Sequence, residues 1–248
     1  GQPRMKPPFP ANVGLYGAPT TVNNVESIAV SGTIMRRGAT WFNSIGRPNN
    51  AGTKLFCISG HVNRPCVVEE ELGIPFRELI EKHAGGVRGG FENLLAVIPG
   101  GSSVRMVPAD QIIDTPMDFD SLKKAGTGLG SAGTIVIDDA TCMVAATLKY
   151  SNFFKGESCG QCPPCRMGTI NLATLVEKIE RGEGSQKDLD SLLQLCGFVK
   201  GTGYCTLITG AAVLVQSSLR LFQHEFEEHI RMYRCPFQPA QTETGAKA

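Results

Sequence analysis

Apolar positions in the second half of the chain recur at helical spacing. Ala211, Val215, Leu219, Phe222, Phe226 and Ile230 follow at intervals of four, four, three, four and four. That spacing places all six on one face of a helix with 3.6 residues per turn, so it predicts one long amphipathic helix. Val144, Leu148, Ser151 and Phe154 mark a face of an earlier helix that begins after Ala140. Ile170, Ala173, Leu175, Val176 and Ile179 mark another, which ends at Arg181-Gly182-Glu183-Gly184. Ser185 with Asp188 three residues on has the form of a capping box. It opens a helix whose stripe is Leu189, Leu192, Leu193, Cys196 and Val199. Four such helices joined by short loops predict a four-helix bundle.

The first half reads differently. Lys54 to Val62, with a break at Gly60, and Cys66 to Glu70 are strand-like runs across an Asn63-Arg64-Pro65 turn. Pro75 to His83 predicts a short helix with Phe76, Leu79 and Ile80 on one side, and Asn93 to Ile98 a third strand. Strand, strand, helix and strand in this space predict a small unit of the ubiquitin-like sort. Cys57 and Cys66 can face each other across the hairpin, where small buried hydrophobes are the ordinary role of such thiols. Gly128-Leu129-Gly130-Ser131-Ala132-Gly133 matches G-x-G-x-x-G, but the dinucleotide fingerprint needs a strand before it and a helix after it. Here a polar Lys123-Lys124-Ala125-Gly126 turn precedes and a strand, Thr134 to Asp138, follows, so the segment reads as a flexible entry to that strand.

Residues 1–23 are rich in turn formers and predict looped or extended chain. Asn23 or Asn24 then caps a helix with a partial stripe of Val25, Ile28, Ala29 and Met35, closing on the basic pair Arg36-Arg37 before Gly38. Asn pairs ordinarily cap or turn; the alternative is that their amides face a bound ligand.

Composition narrows the class. The 248 residues are 42% hydrophobic and 19% charged, with a net charge of +1, and no long run of one sign points to nucleic acid or an anionic membrane. No stretch approaches the ~20 apolar residues of a membrane-spanning helix. The segment Gly1-Gln2-Pro3-Arg4 has no apolar signal region and reads as loop text rather than a domain start. Nine cysteines at uneven spacing fit metal ligands and free thiols in a reduced compartment better than a disulfide framework.

The chemistry concentrates in Glu157-Ser158-Cys159-Gly160-Gln161-Cys162-Pro163-Pro164-Cys165-Arg166. A C-x-x-C-x-x-C triplet lets three sulfurs curl around one inorganic centre, and a cubane iron–sulfur cluster needs four. Of the remaining thiols, Cys196 falls on an apolar helical stripe, Cys142 sits at the far end of the preceding helix, and Cys235 lies beyond the last helix. Cys205 follows the glycine-rich turn Gly201-Thr202-Gly203-Tyr204 between two helices, where backbone approaches a ligand closely. It is the expected fourth ligand. The helix after Cys165 would offer unsatisfied N–H groups to an anionic centre, with Arg166 beside them. A zinc site with four cysteine ligands is the alternative; zinc sites more often pair two separate C-x-x-C knuckles.

These residues, together with Lys6 to Pro10, Gly17 to Glu26, Arg36 to Phe42, Ser59 to Asn63, Glu81 to Gly86 and Val97 to Ser103, resemble the NADH-binding flavoprotein subunit of respiratory complex I. The resemblance covers nearly all of the chain. It is closer to mitochondrial and related bacterial forms than to the diaphorase subunits of soluble hydrogenases or formate dehydrogenases.

The resemblance implies a 4Fe-4S cluster on Cys159, Cys162, Cys165 and Cys205. That cluster would take electrons from FMN, reduced by NADH, and pass them towards ubiquinone. It also implies flavin contacts at Thr21, Asn23 and Asn24. The implied architecture is an α+β multidomain fold. Residues 1–47 are the remnant of an FMN/NADH-binding domain, 48–139 a ubiquitin-like (β-grasp) domain, 140–235 a helical bundle carrying the cluster, and 236–248 a polar, disordered tail.

The Gly-rich segment that holds FMN and NADH in the family is absent. Another polypeptide, or another part of a longer chain, is expected to supply it, and alone the chain is not expected to oxidise NADH. Thr206-Leu207-Ile208-Thr209 also departs from the family text after Cys205. Implied partners are the small 2Fe-2S flavoprotein subunit and the large iron–sulfur subunit, in the peripheral arm on the matrix side of the mitochondrial inner membrane. The alternative class is a catalytically silent structural subunit, with zinc or without metal.

Overall fold

The structure is a computed structural model and describes residues 4–237; the rest of the predicted polar tail, from residue 238 on, lies outside the described residues. Helix α1 (Val25–Arg37) begins at Asn24, whose Oδ1 accepts the Ser27 N–H at 3.1 Å, and Gly38 follows its last turn. The predicted cap and basic last turn are both present. The stripe, however, faces outward: Val25 is 76% exposed, Ile28 57% and Met35 87%. A short helix α2 (Ala39–Asn43) and a hairpin of β1 (Gly46–Arg47) and β2 (Asn50–Ala51) lead on. The carboxylate of Glu26 pairs with Lys54 and accepts the Leu55 N–H at 2.9 Å, tying α1 to the strand that follows.

A five-stranded mixed sheet comes next. Its strands are β3 (Thr53–Gly60), β4 (Cys66–Glu71), β5 (Leu94–Ile98), β6 (Val107–Pro108) and β7 (Gly133–Asp138), in the spatial order β4-β3-β7-β5-β6. Strands β3 and β7 are parallel, and the other pairings are antiparallel. Helix α3 (Phe76–Ala84) buries Phe76, Leu79 and Ile80 as the pattern predicts, and α4 (Ala109–Ile112) and α5 (Phe119–Lys124) fill the long crossover to β7.

The Cys57–Cys66 expectation fails by one residue. Cys57 pairs with Val67, and Cys66 with Ile58. Because side chains alternate, that offset sends the two thiols to opposite faces. Cys66 packs against the core, and Cys57 is exposed. The glycine run at 128–133 enters a strand, as expected. Gly130, at φ +47°, crosses Gly100 so closely that an added Cβ would lie 2.2 Å from the Gly100 carbonyl oxygen.

The helical part contains α6 (Met143–Glu157), α7 (Pro163–Glu180), α8 (Gln186–Val199), α9 (Leu207–Leu221) and α10 (Gln223–Met232). Five helices therefore stand where four were predicted. The long apolar stripe is continuous, but the backbone breaks at Phe222 (φ −125°, ψ 30°). Phe222 closes α9 through its N–H to the Ser218 carbonyl and opens α10 by accepting the Glu225 N–H. Its ring stays in the stripe, so periodicity alone does not register the break. In α7 the face is rotated slightly from prediction: Leu172, Ala173, Val176 and Ile179 are buried, while Ile170 is exposed.

One core lies beneath α3, with Phe56, Val97, Leu129 and Val136 from the sheet side. The other fills the helical part and includes Ala96, Ile98 and Ile137. Alternate residues of β5 and β7 thus face two different cores. Across this seam the Met106 N–H donates to Ser217 Oγ at 3.2 Å, and Gly210 of α9 lets the Ser103 side chain approach.

The capping box at α8 is formed. Ser185 Oγ accepts the Asp188 N–H at 3.4 Å, and Asp188 Oδ2 accepts the Ser185 N–H at 2.8 Å. Lys178, and then the Ser185 hydroxyl, hold the Asp188 carboxyl below its ordinary 3.8. A depressed folded value means the stabilisation is present above the unfolded pKa and is lost as pH falls through the folded one. Asp188→Asn is expected to cost about 1 kcal/mol at neutral pH. In urea unfolding, the gap between variant and parent should close as pH drops below 3.8.

Candidate metal centre

The loop between α6 and α7 and the turn between α8 and α9 meet at one place. Gly160, at φ +73°, turns the chain back between Cys159 and Cys162, a conformation a side chain would resist. Cys162 is the N-cap of α7, and Pro163 with Pro164 occupies the first helical positions, where a missing N–H costs nothing. Cys165 sits in the first turn of α7. Cys162 and Cys165 are buried, and Cys159 and Cys205 are exposed.

Cys205 stands two residues before α9, so the starts of two helices, α7 and α9, face the same place. Each presents N–H groups without intrahelical partners and the positive end of its dipole. The site is thus built for negative charge.

Close packing brings the second segment in. A Cβ on Gly203 would lie 2.8 Å from Ile208 Cγ2, 2.9 Å from the Cys205 carbonyl oxygen and 3.9 Å from Cys162 Sγ. Ile208 is fully buried, and its other side meets Gly168 of α7, where an added Cβ would be 3.0 Å from Ile208 Cδ1. Two glycines on two different elements therefore make room for one isoleucine. Thr209 Oγ1 accepts the Gly201 N–H at 3.0 Å, drawing the turn onto the first turn of α9. The segment Thr206 to Thr209 is the part that packs and ties this turn.

The thiols act on one another. Burial raises the Cys165 thiol, and the charges of Cys162, Cys205 and Cys159 raise it further, against a lowering contact from Ser158. Ser158 Oγ lies 3.4 Å from Cys165 Sγ and also accepts the Gly160 N–H. Four thiolates at such a place repel unless a cationic centre sits among them. Soft sulfur donors suit zinc or an iron–sulfur centre. A single tetrahedral zinc would hold its sulfurs about 3.8 Å apart. Among the described residues, the ligand atoms gathered in threes within 4.8 Å of one another belong to Cys142, His229 and Cys235, not to the triplet.

The rejected thiols are where the sequence argument leaves them. Cys196 is fully buried on α8, and burial pushes it up to about 12, as suits a packed core thiol. Cys142 caps α6, and Cys235 lies beyond α10. Thr21, Asn23 and Asn24 are all exposed. Asn24 is occupied as a cap but also lines a cavity of about 720 Å³ with Glu26, Trp41, Phe42 and Lys54. None of the four thiols lines that cavity. Sequence reasoning passed over Gly168 and the role of Ser158; it named Gly203 as part of the turn, and Ile208 only as part of the segment after Cys205. The residues two before Cys205 and three after Cys165 are both glycines, which was the available signal.

Comparison with known proteins follows the same division. Residues 145–229 match the family model described as the NADH-ubiquinone oxidoreductase-F iron-sulfur binding region, and residues 54–128 match the SLBB domain. An F subunit of the NADH-quinone oxidoreductase of Rhizobium meliloti, the one numbered 1, is 55% identical over 233 residues, covering 94% of this chain and 54% of the relative. The F subunit of the Rickettsia bellii enzyme is 54% identical over 231 residues, covering 93% of this chain and 55% of the relative. Among solved structures, an NAD+-reducing NiFe-hydrogenase in the air-oxidized state superposes with a TM-score of 0.80 at 30% identity, over 96% of this chain and 40% of that one. The chain spans about half the length of the curated relatives it matches. By sequence, nearly all of this chain is similar to NADH-quinone oxidoreductase F subunits, and its helical part matches their iron-sulfur binding region.

Proposed function

We propose that this chain is the electron-relay portion of an NADH dehydrogenase module. Cys159, Cys162, Cys165 and Cys205 hold a 4Fe-4S cluster, which when bound stores and releases one electron at a time. The observation that carries the reading is the convergence of four thiols on two helix starts, within the region that matches the family's iron-sulfur binding model. The N–H groups of α7 and α9 would offset the cluster's negative charge, and Ser158 would offer a hydroxyl beside Cys165. Ile208 would fix the distance between the two ligand segments. The buried pair, Cys162 and Cys165, excludes water from one side, and the exposed pair, Cys159 and Cys205, faces outward.

On this reading the sheet and α3 form the ubiquitin-like unit at 48–139, and the helices at 140–235 form the cluster-bearing bundle. The order β4-β3-β7-β5-β6 with parallel β3 and β7 supports the first. In the second, α10 extends a four-helix core of α6 to α9. Residues 1–47 contribute one wall of an FMN site, with Thr21, Asn23 and Asn24 at the flavin. The exposed stripe of α1 supports a further polypeptide segment packing there, because contiguous exposed apolar surface marks an interface. That segment would carry the FMN- and NADH-binding half. The small 2Fe-2S flavoprotein subunit and the large iron–sulfur subunit would be neighbours.

No described helix is long and apolar enough to cross a membrane, which fits a place in the peripheral arm of a respiratory complex. The mitochondrial matrix side follows from the sequence resemblance alone, since the relatives named above are bacterial. The superposition on an NAD+-reducing hydrogenase supports a diaphorase role as the second reading. The higher identity to quinone oxidoreductase subunits favours the first.

Purified anaerobically, the chain should contain about four iron and four sulfide and give a cluster EPR signal on reduction. Cys205→Ser should lose that signal and Cys196→Ser should keep it; the reverse outcome would overturn the ligand assignment, and four-sulfur zinc without sulfide would overturn the relay. A second measurement addresses α1. Ile28→Asn with Met35→Gln should leave the unfolding free energy of this chain within about 0.5 kcal/mol, as exposed positions do. The same pair should weaken copurification with the separately expressed N-terminal half of a related F subunit. Unchanged copurification would argue against α1 as that interface.

A further inference from the structure

A second sulfur site lies away from the ligand loop. Cys142 Sγ is 3.4 Å from His229 Nε2 and 3.7 Å from Cys235 Sγ, and the three ligand atoms lie within 4.8 Å of one another. All three residues are buried, His229 completely. A tetrahedral zinc with sulfur at about 2.3 Å and nitrogen at about 2.0 Å separates two sulfurs by about 3.8 Å, and sulfur from nitrogen by about 3.5 Å. The observed spacings, 3.7 and 3.4 Å, agree with those values.

The histidine is also in the right form. Its Nδ1 lies 2.7 Å from the Glu225 carbonyl oxygen, an acceptor, so Nδ1 must donate. The neutral ring then carries its lone pair on Nε2, turned towards Cys142. A backbone carbonyl on the far nitrogen is the usual support of a metal-bound imidazole.

The surroundings suit the product. Cys142 is the N-cap of α6, and its sulfur accepts the Ala145 N–H at 3.4 Å. Next to it the Glu225 carboxylate accepts the Met143 N–H at 2.8 Å. These contacts orient the site from α6 and α10 at once.

We propose that Cys142, His229 and Cys235 form a zinc site that fastens the end of the helical part to the start of α6. Zinc replaces the protons of the two thiols, which leave to solvent as two H+, and binds the free lone pair of His229. One coordination position is left for an oxygen donor. No electron is transferred, since zinc has no redox chemistry. The site is separate from the four thiols proposed for iron: those lie at the starts of α7 and α9, these at the start of α6 and the end of α10.

The test uses the whole chain, purified anaerobically with its iron in place. Metal analysis should give one zinc per chain beyond the iron. X-ray absorption at the zinc edge should show two sulfurs at about 2.3 Å with nitrogen or oxygen at about 2.0 Å. A zinc shell of four sulfurs would place the metal in the ligand loop and overturn the proposal. So would an absence of zinc, or a Cys142–Cys235 disulfide by mass spectrometry.

Cys142→Ser with Cys235→Ser should lose the zinc and keep iron and sulfide, whereas Cys159→Ser should lose iron and keep the zinc. Zinc retained by the double variant would also overturn the proposal. If the double variant does not fold, cobalt loaded into the parent chain gives the same answer. Thiolate-to-cobalt charge transfer with a two-sulfur shell supports the site, and a four-sulfur shell refutes it.

Discussion

The position of one side chain, Ile208, governs the rest of the sulfur site. The thiol triplet comes from the α6–α7 loop and the fourth thiol from a turn some forty residues on, so something must fix the gap between them. Gly168 and Gly203 each forgo a Cβ at the point where Ile208 lies, and the isoleucine spans both. A methyl group on Gly203 would crowd Ile208 and the Cys205 carbonyl oxygen below 3.0 Å, and one on Gly168 would press on Ile208 and Val199. Close-packed interiors transmit such shifts rather than absorb them. The electrostatic character of the site follows from this contact, since only when both helix starts are close do their N–H groups act on the same charge.

Burial divides the four thiols into two kinds. Cys162 and Cys165 belong to the core of the helical part, while Cys159 and Cys205 lie at the surface. A centre held by both is dry on one side and open on the other. Hydrogen bonds and exposure around the sulfurs tune the potential of such centres, and here those features are Ser158 beside Cys165 and the exposure of Cys159 and Cys205.

Much of this was legible in the sequence, and the failures have physical causes. Apolar period 3.6 located every helix of the second half, because those helices each bury one stripe. It joined α9 to α10, since the stripe runs through Phe222 in register while only the backbone torsions change. The four expected strands were placed correctly, but the two-residue strands β1, β2 and β6 were not foreseen, and the relation of Cys57 to Cys66 was wrong. Strand register is set by the turn and by neighbouring strands, and a slip of one residue reverses a face. The triplet announces itself because its ligands are local. Cys205 required an argument about where a glycine turn returns. The Cys142, His229 and Cys235 group was invisible because Cys142 and His229 stand 87 residues apart in the chain. Only the packing of α10 on α6 brings them together.

The sheet carries a further consequence. Strands β5 and β7 put alternate side chains into two cores, one beneath α3 and one within the helices. Neither core is complete without the shared strands, so the two units do not own separate boundaries. Pulling the helical part away would expose Ala96, Ile98 and Ile137, and would strip the sulfur site of the floor on which α9 rests. The two regions matched by family comparison, residues 54–128 and 145–229, are thus joined through β5 and β7, whose side chains serve both cores.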